Sequence, residues 1–108
     1  MNIGNKGLEL IKSYEGCMLT AYKPVQTEQY YTIGWGHYGP DVYEGMTITQ
    51  AQADQFLVED VQRFVNAVNQ YQVRFNFNQA EFDSLTSFTY NCGEGSLAAV
   101  MSLSLIHI

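Results

Sequence analysis

The sequence predicts an α+β fold, with a small antiparallel sheet kept apart from the helices, and three observations carry that prediction. Ile3, Gly7, Leu8, Ile11 and Tyr14 recur at helical spacing near the start of the chain. From Thr20 to Gly45 the pattern changes to Tyr, Thr, Val and Ile mixed with Gly and Pro, which suits short twisted strands joined by turns. Beyond it, Thr49-Gln50-Ala51-Gln52 and Asn78-Gln79-Ala80-Glu81 both have the form of a capping box, and each opens an apolar stripe.

The elements follow in order. A first helix is expected over residues 4 to 14, with its apolar stripe on a core and Gly16 as its stop. The sheet comes next, and within it Gly34 and Gly36 are expected at alternating strand positions where backbone or ligand approaches closely. Behind Thr49, the residues Ala53, Phe56, Leu57, Val61, Phe64, Val65 and Val68 sustain a helical stripe for about five turns. These are read as core. Phe82, Leu85, Phe88 and Cys92 continue a third helix that Gly93 or Gly95 closes. No internal repeat or low-complexity linker interrupts the order.

Composition bounds the function. With 46% hydrophobic and 15% charged residues, 108 residues suffice for one small domain with a real core. A net charge of -6 and only five scattered basic residues argue against a nucleic-acid partner, since phosphate binding draws on clustered Lys and Arg. An anionic polymer would have to be held by hydrogen bonds and aromatic faces, which eight Tyr, six Phe and one Trp can supply. The N-terminal residues lack the apolar run of a signal peptide and no stretch approaches a membrane span, so synthesis in the cytoplasm without membrane insertion is expected. Cys17 and Cys92 have neither CxxC spacing nor a nearby His pair; they read as two buried free thiols, and no metal is expected.

Glu15 stands out chemically. A carboxylate at a helix C-terminus faces the negative end of the macrodipole, which costs rather than stabilises. If the sheet folds back on that helix end, partial desolvation raises the carboxyl pKa, as a general acid requires.

The segment Gly7-Leu8-Glu9-Leu10-Ile11-Lys12-Ser13-Tyr14-Glu15-Gly16, followed by Ala21-Tyr22-Lys23 and Tyr31-Thr32-Ile33-Gly34-Trp35-Gly36-His37, resembles the phage-type lysozymes of glycoside hydrolase family 24. Gly45 to Ala53 is similar to the family's entry into its long helix, and Asn78-Gln79, Phe82-Asp83 and Ser87 to Gly93 are similar to its third helix and cleft wall. The resemblance covers residues 7 to 97 in the right order. It implies a lysozyme-like fold with an N-terminal helix, a small antiparallel sheet, a long linking helix and a helical lobe. It also implies a muramidase that cuts the β-1,4 bond between N-acetylmuramic acid and N-acetylglucosamine in peptidoglycan, as a monomer acting on the cell wall, without a cofactor.

Under that resemblance Glu15 is the general acid, and Thr32 matches the Thr whose hydroxyl helps to position water. The family places an acidic or Cys residue nine positions after the catalytic Glu, and here that position is Pro24. Six before Thr32 stands Gln26, so this loop is two residues longer than the family pattern. Glu28 is the only carboxylate between Glu15 and Thr32; it is either a second catalytic carboxylate from a displaced position or a solvated loop tip. Tyr22, Trp35, Tyr90 and Asn91 are the candidate sugar contacts, with core packing as the alternative for Trp35, while His37 reads as a structural hydrogen-bonding or ion-paired group. The rival from another class is a peptidoglycan-binding or structural protein with a lapsed hydrolase site, for which Pro24 is the supporting feature.

The last residues do not follow this logic. Ala98 to Ile108 has no cap, polar face or closing element. Residues 103–108, Leu-Ser-Leu-Ile-His-Ile, resemble one reading frame of a transposase mosaic-end sequencing adapter. The expected organisation is a lysozyme-like catalytic domain over 1–102, incomplete in its helical lobe and at most weakly active as it stands, with 103–108 a non-native tail. The alternative is a genuine apolar tail that docks on a partner.

Overall fold

The computed structural model describes residues 1–106, with the side chains described as far as Leu103. The expected α+β order is present: α1 (Asn5–Glu15), β1 (Met18–Tyr22), β2 (Tyr31–Gly34), β3 (His37–Gly39), α2 (Gln50–Phe75) and α3 (Gln79–Cys92). To these it adds α4 (Glu94–Ile106). Within the expected tail, residues 103–106 continue α4 and residues 107–108 lie outside the described residues. The chain divides into two compact units, one of Met1–Ile11 with the chain from Val61 onward, the other of Lys12–Asp60.

The first unit is helical. Its core holds Ile11 from α1, Val61, Val65 and Val68 from α2, Phe82 from α3, and Leu97 and Met101 from α4, all buried. The buried face of α3 is more polar than expected. Asp83, Thr86, Ser87 and Thr89 are buried on it, whereas Leu85 and Phe88 are only half-buried. The hydroxyls of Thr86 and Thr89 donate to the carbonyls one turn back, at 2.8 and 2.7 Å, which satisfies them without outside partners. Asp83 has a further task, because its Oδ1 accepts from the Gly4 N–H at 2.9 Å and from Gln79 Nε2 at 2.8 Å. A carboxylate from α3 thus caps the N-terminus of α1, where the helix dipole favours negative charge.

Close approach is what allows that cap. A Cβ on Gly7 would stand 2.5 Å from Ile3 Cγ1 and 2.8 Å from Asp83 Cγ. Alanine normally favours a helix interior over glycine by about 1 kcal/mol, but overpacking typically costs about 1–3 kcal/mol. The overpacking wins here because one neighbour carries the capping carboxylate. Gly7→Ala is expected to destabilise the chain by about 1 kcal/mol in urea denaturation, and a stabilised variant would contradict this packing.

Both capping boxes form. Thr49 N–H donates to Gln52 Oε1 at 2.9 Å and Gln52 N–H to Thr49 Oγ1 at 3.2 Å. At α3, Glu81 N–H donates to Asn78 Oδ1 at 2.8 Å and Asn78 N–H to Glu81 Oε1 at 2.9 Å. Gly93, at φ 93°, ends α3, its N–H donating to the Thr89 carbonyl at 2.8 Å. α2, at 26 residues, outruns the five turns expected. Its last turns are held by a polar residue that no apolar stripe reveals: Gln72 exchanges two 3.1 Å bonds with the Phe77 backbone.

In the second unit the three strands are antiparallel in the order β1-β2-β3. Met18 pairs with Gly34 and Tyr22 with Thr32, with an irregularity between, while Thr32 pairs with Tyr38 and Ile33 with His37. Ile33, Val42, Ala53 and Leu57 are buried in this unit. The two glycines do not alternate along a strand. Gly34 ends β2 at φ 66° and Gly36, at φ 96°, lies with Trp35 in the turn to β3. Positive φ is the demand at both positions. A Cβ at Gly34 would make only ordinary contact with Ala53, 3.5 Å from its Cα, so the positive φ and not crowding calls for glycine there.

Candidate active site

Glu15 is the last residue of α1, and Gly16 at φ 65° turns the chain toward β1. The Gly16 N–H donates to the Lys12 carbonyl at 3.4 Å, closing the helix just behind the carboxylate. Glu15 is half-buried, and burial raises its carboxyl pKa above the ordinary glutamate value.

Thr32 lies in β2, half-buried, directly opposite Tyr22 on one side and Tyr38 on the other. Directly paired residues of antiparallel strands project from the same face, so the sheet brings Thr32 and Tyr22 together, with Tyr38 completing the row. The Tyr38 hydroxyl accepts from the Tyr30 N–H at 3.3 Å, and the two rings pack 5.5 Å apart. Glu28 is exposed in the loop between β1 and β2, its N–H bonded to the Val25 carbonyl at 3.0 Å. Pro24 is exposed in the same loop.

Trp35 is half-buried, so core packing does not describe it. Its Nε1–H donates to Asp54 Oδ1 at 2.8 Å, and Lys12 Nζ stands 5.3 Å from the ring centroid and 3.5 Å from the same Asp54 oxygen. Gln50 Nε2 donates to Asp54 at 3.2 Å. The Trp35 and Gln50 bonds, with Lys12 nearby, hold the Asp54 carboxyl below the usual aspartate value. Lys12, Gln50 and Asp54 were not legible as site residues in the sequence. Their only signal was the i, i+4 spacing of Gln50 and Asp54 behind a capping residue.

His37 is structural, as expected. Its Nδ1 lies 2.7 Å from Asp60 Oδ2, its Nε2 2.8 Å from Asp41 Oδ2, and its ring stacks on Phe56 at 4.4 Å and 7°. Phe56 is therefore more than core filler. Burial opposes the imidazolium, but the bonds to Asp41 and Asp60 outweigh it and raise the His37 pKa. The bond from His37 lowers Asp41, whereas burial outweighs that bond at Asp60 and raises it, so Asp41 is the firmer counter-charge. A raised His pKa contributes stability that is full below about pH 6.5, the unfolded value, and is lost as the pH climbs through the folded value. His37→Gln is expected to cost about 1–3 kcal/mol at pH 6 and less at pH 9. Equal losses at the two pH values would remove the imidazolium from the account.

Tyr90 and Asn91 belong to the helical unit. Tyr90 is half-buried and packs edge-on against Phe64 at 5.4 Å and 76°, and Asn91 is exposed one residue before the end of α3. The expectation of two buried thiols is not met: Cys17 is half-buried and Cys92 exposed. The buried stripe of α3 runs through Phe82, Thr86 and Thr89, which turns position 92 outward. Cys17 Sγ instead accepts from Gln50 Nε2 at 3.6 Å. Among the described residues no group of three or more His, Cys, Asp or Glu is placed to hold a metal ion. No described helix is long and apolar enough to cross a membrane.

An α+β chain with a glutamate closing its first helix and a threonine on a three-stranded sheet has the make-up of a lysozyme-like fold. Residues 12–107 match the phage lysozyme family, and the chain belongs to it. It is 55% identical over 94 residues to the endolysin of Lactococcus phage c2, covering 86% of this chain and 40% of that protein. Its fold is similar to the endolysin from Escherichia coli O157:H7 phage FAHEc1, with a TM-score of 0.79 at 42% identity over 90% of this chain and 61% of that one. It is similar also to the muramidase domain of SpmX from Asticaccaulis excentricus, with a TM-score of 0.79 at 35% identity over 89% and 63% of the two chains. The chain spans about 40% of the length of the curated relatives it matches first.

Proposed function

We propose that this chain carries the catalytic residues of a phage lysis enzyme, a muramidase that hydrolyses the β-1,4 bond between N-acetylmuramic acid and N-acetylglucosamine in peptidoglycan. The observation that carries the reading is Glu15, half-buried at the end of α1 with a carboxyl that burial keeps protonated above the usual range. Protonating a glycosidic oxygen needs such a group. Thr32 holds or orients the water that attacks. Tyr22, in register beside it, supplies an aromatic surface for a pyranose ring. Tyr90 and Asn91 are proposed as further sugar contacts and await substitution.

Trp35 enters this reading differently, because its N–H and its contact with Lys12 are committed within the protein. Glu28 is the remaining candidate for a second carboxylate. Its exposure favours the solvated loop tip, since a charge in water stabilises a developing cation weakly. Glu28→Gln is expected to lower turnover less than about tenfold, against the hundredfold or more that loss of a general acid brings. A loss as large as that of Glu15→Gln would make Glu28 a direct participant.

A second reading, peptidoglycan binding without hydrolysis, draws on Pro24, which stands where the family pattern has an acidic or Cys residue. The two readings are separated by digesting purified peptidoglycan with a chimera in which this chain replaces the matching segment of the Lactococcus phage c2 endolysin. New reducing ends without new free amino groups support hydrolysis of the glycan. Retention on peptidoglycan without reducing ends supports binding alone.

A further inference from the structure

We propose that the first turn of α2 is a positioning platform that fixes Glu15 relative to the strand bearing Thr32, with Asp54 as its hub; the proposal rests on the hydrolase reading above. Glu15 is bracketed by two tethers that end on this one helical turn. Three residues before it, Lys12 Nζ reaches Asp54 at 3.5 Å; two residues after it, Cys17 Sγ accepts from Gln50 Nε2 at 3.6 Å. Gln50 and Asp54 are themselves bonded at 3.2 Å, so the two tethers share an anchor. The Lys12 backbone takes part as well, because its carbonyl receives the Gly16 N–H and closes the helix around Glu15.

The sheet is tied to the same anchor. Trp35, three residues beyond Thr32 at the β2–β3 turn, donates its indole N–H to Asp54 at 2.8 Å and lies 5.3 Å from Lys12 Nζ. Gly34 brings the end of β2 against Ala53, the residue before Asp54. The segment carrying the acid and the strand carrying the water-positioning hydroxyl, already paired through β1 and β2, are thus both tied to this one turn.

Such a device works through geometry rather than strength. The Lys12–Asp54 pair is partly exposed, and pairs of that kind contribute little to folding. A displacement of about 1 Å in a catalytic group, by contrast, can cost about a hundredfold in rate. Lys12, Gln50, Trp35 and Asp54 are thus positioning residues, and a purely structural role predicts a different pattern on substitution.

The test uses Asp54→Ala, Asp54→Asn and Trp35→Phe. By NMR on the 108-residue chain, Asp54→Ala is expected to speed amide exchange at Gly16 at least about tenfold and to move the Glu15 carboxyl titration toward the ordinary glutamate value. Asp54→Asn, which keeps an acceptor for the indole, restores most of both. In the chimera with the Lactococcus phage c2 endolysin, Asp54→Ala and Trp35→Phe lower kcat by about tenfold or more while KM stays within about twofold. Unchanged Gly16 exchange and Glu15 titration in Asp54→Ala overturn the proposal, as does a kcat within twofold of the parent. If instead Glu15→Gln is as active as the parent, the hydrolase reading has failed, and the NMR result still reports on the platform.

Discussion

Glu15→Gln in the Lactococcus phage c2 chimera is expected to abolish the release of reducing ends from peptidoglycan while leaving the protein folded. The amide keeps the shape of the side chain but has no proton to give to the leaving oxygen. Loss of general acid catalysis costs on the order of 10²–10⁴ in rate. Turnover above about a tenth of the parent's would remove Glu15 from the mechanism. Two further expectations, one for the parent's pH profile and one for the variant's stability, follow from burial, which raises the Glu15 pKa. The protonated form survives to higher pH than an ordinary glutamate, so activity falls as the pH rises through that raised value. The alkaline limb of the pH profile therefore lies above about pH 4.3, the unperturbed glutamate value.

The stability effect has the opposite direction from the activity effect. A carboxyl whose folded pKa is raised binds its proton more tightly in the folded chain, so stability declines from about pH 4.3 upward as the half-buried group is forced to ionise. Gln carries no such charge. At pH 7 the variant should therefore melt at the same temperature as the parent or higher, and the two should converge below pH 4. A variant that is both inactive and clearly less stable would mean that Glu15 is a structural partner, and the loss of activity would then carry no mechanistic weight.

How far these residues were legible in the sequence depended on how each announces itself. α1, α2 and α3 were readable because a cap or a stop residue coincides with an apolar period: Gly16, Thr49 with Gln52, and Asn78 with Glu81 all do in the structure what their types imply. α4 was not readable for the opposite reason. Leu97 and Met101 are buried, yet Val100 and Leu103 are exposed, so the segment is apolar on every side and shows no face. The end of α2 escaped because its support is Gln72, a polar residue whose bonds to Phe77 leave no mark in a hydrophobicity pattern.

The site divides along the same line. Glu15 and Thr32 are side chains whose chemistry is local and whose neighbours in sequence carry a family pattern. Asp54 is different, since its role depends on an indole 19 residues away and an ammonium group from another helix. Only folding brings those groups to one oxygen. Trp35 was visible as an aromatic residue beside Thr32, but the bond from its N–H to Asp54 left no mark in the sequence.

Phe82→Ala should be the most damaging single change in the helical unit. Phe82 is fully buried in a core it shares with Ile11, Val65, Val68 and Leu97, each at most 1% exposed. Returning an aromatic side chain of that kind to water forfeits about 1.5–3 kcal/mol of transfer free energy. The vacated space adds a cavity term, because α3 is tethered by Asp83 to Gly4 and by its capping box to Asn78 and cannot simply collapse inward. The sum expected for Phe→Ala is about 3–5 kcal/mol, against a total of only about 5–15 kcal/mol for an ordinary domain. In a chain of this size each kcal/mol moves the midpoint by about 4–8 °C, so thermal denaturation should show a drop of at least about 12 °C. Val73→Ala is the control: Val73 is 94% exposed on α2 and its truncation should change stability by no more than about 0.5 kcal/mol. A Phe82→Ala loss below about 1.5 kcal/mol, with Val73→Ala unchanged, would mean that Phe82 is not the centre of this core.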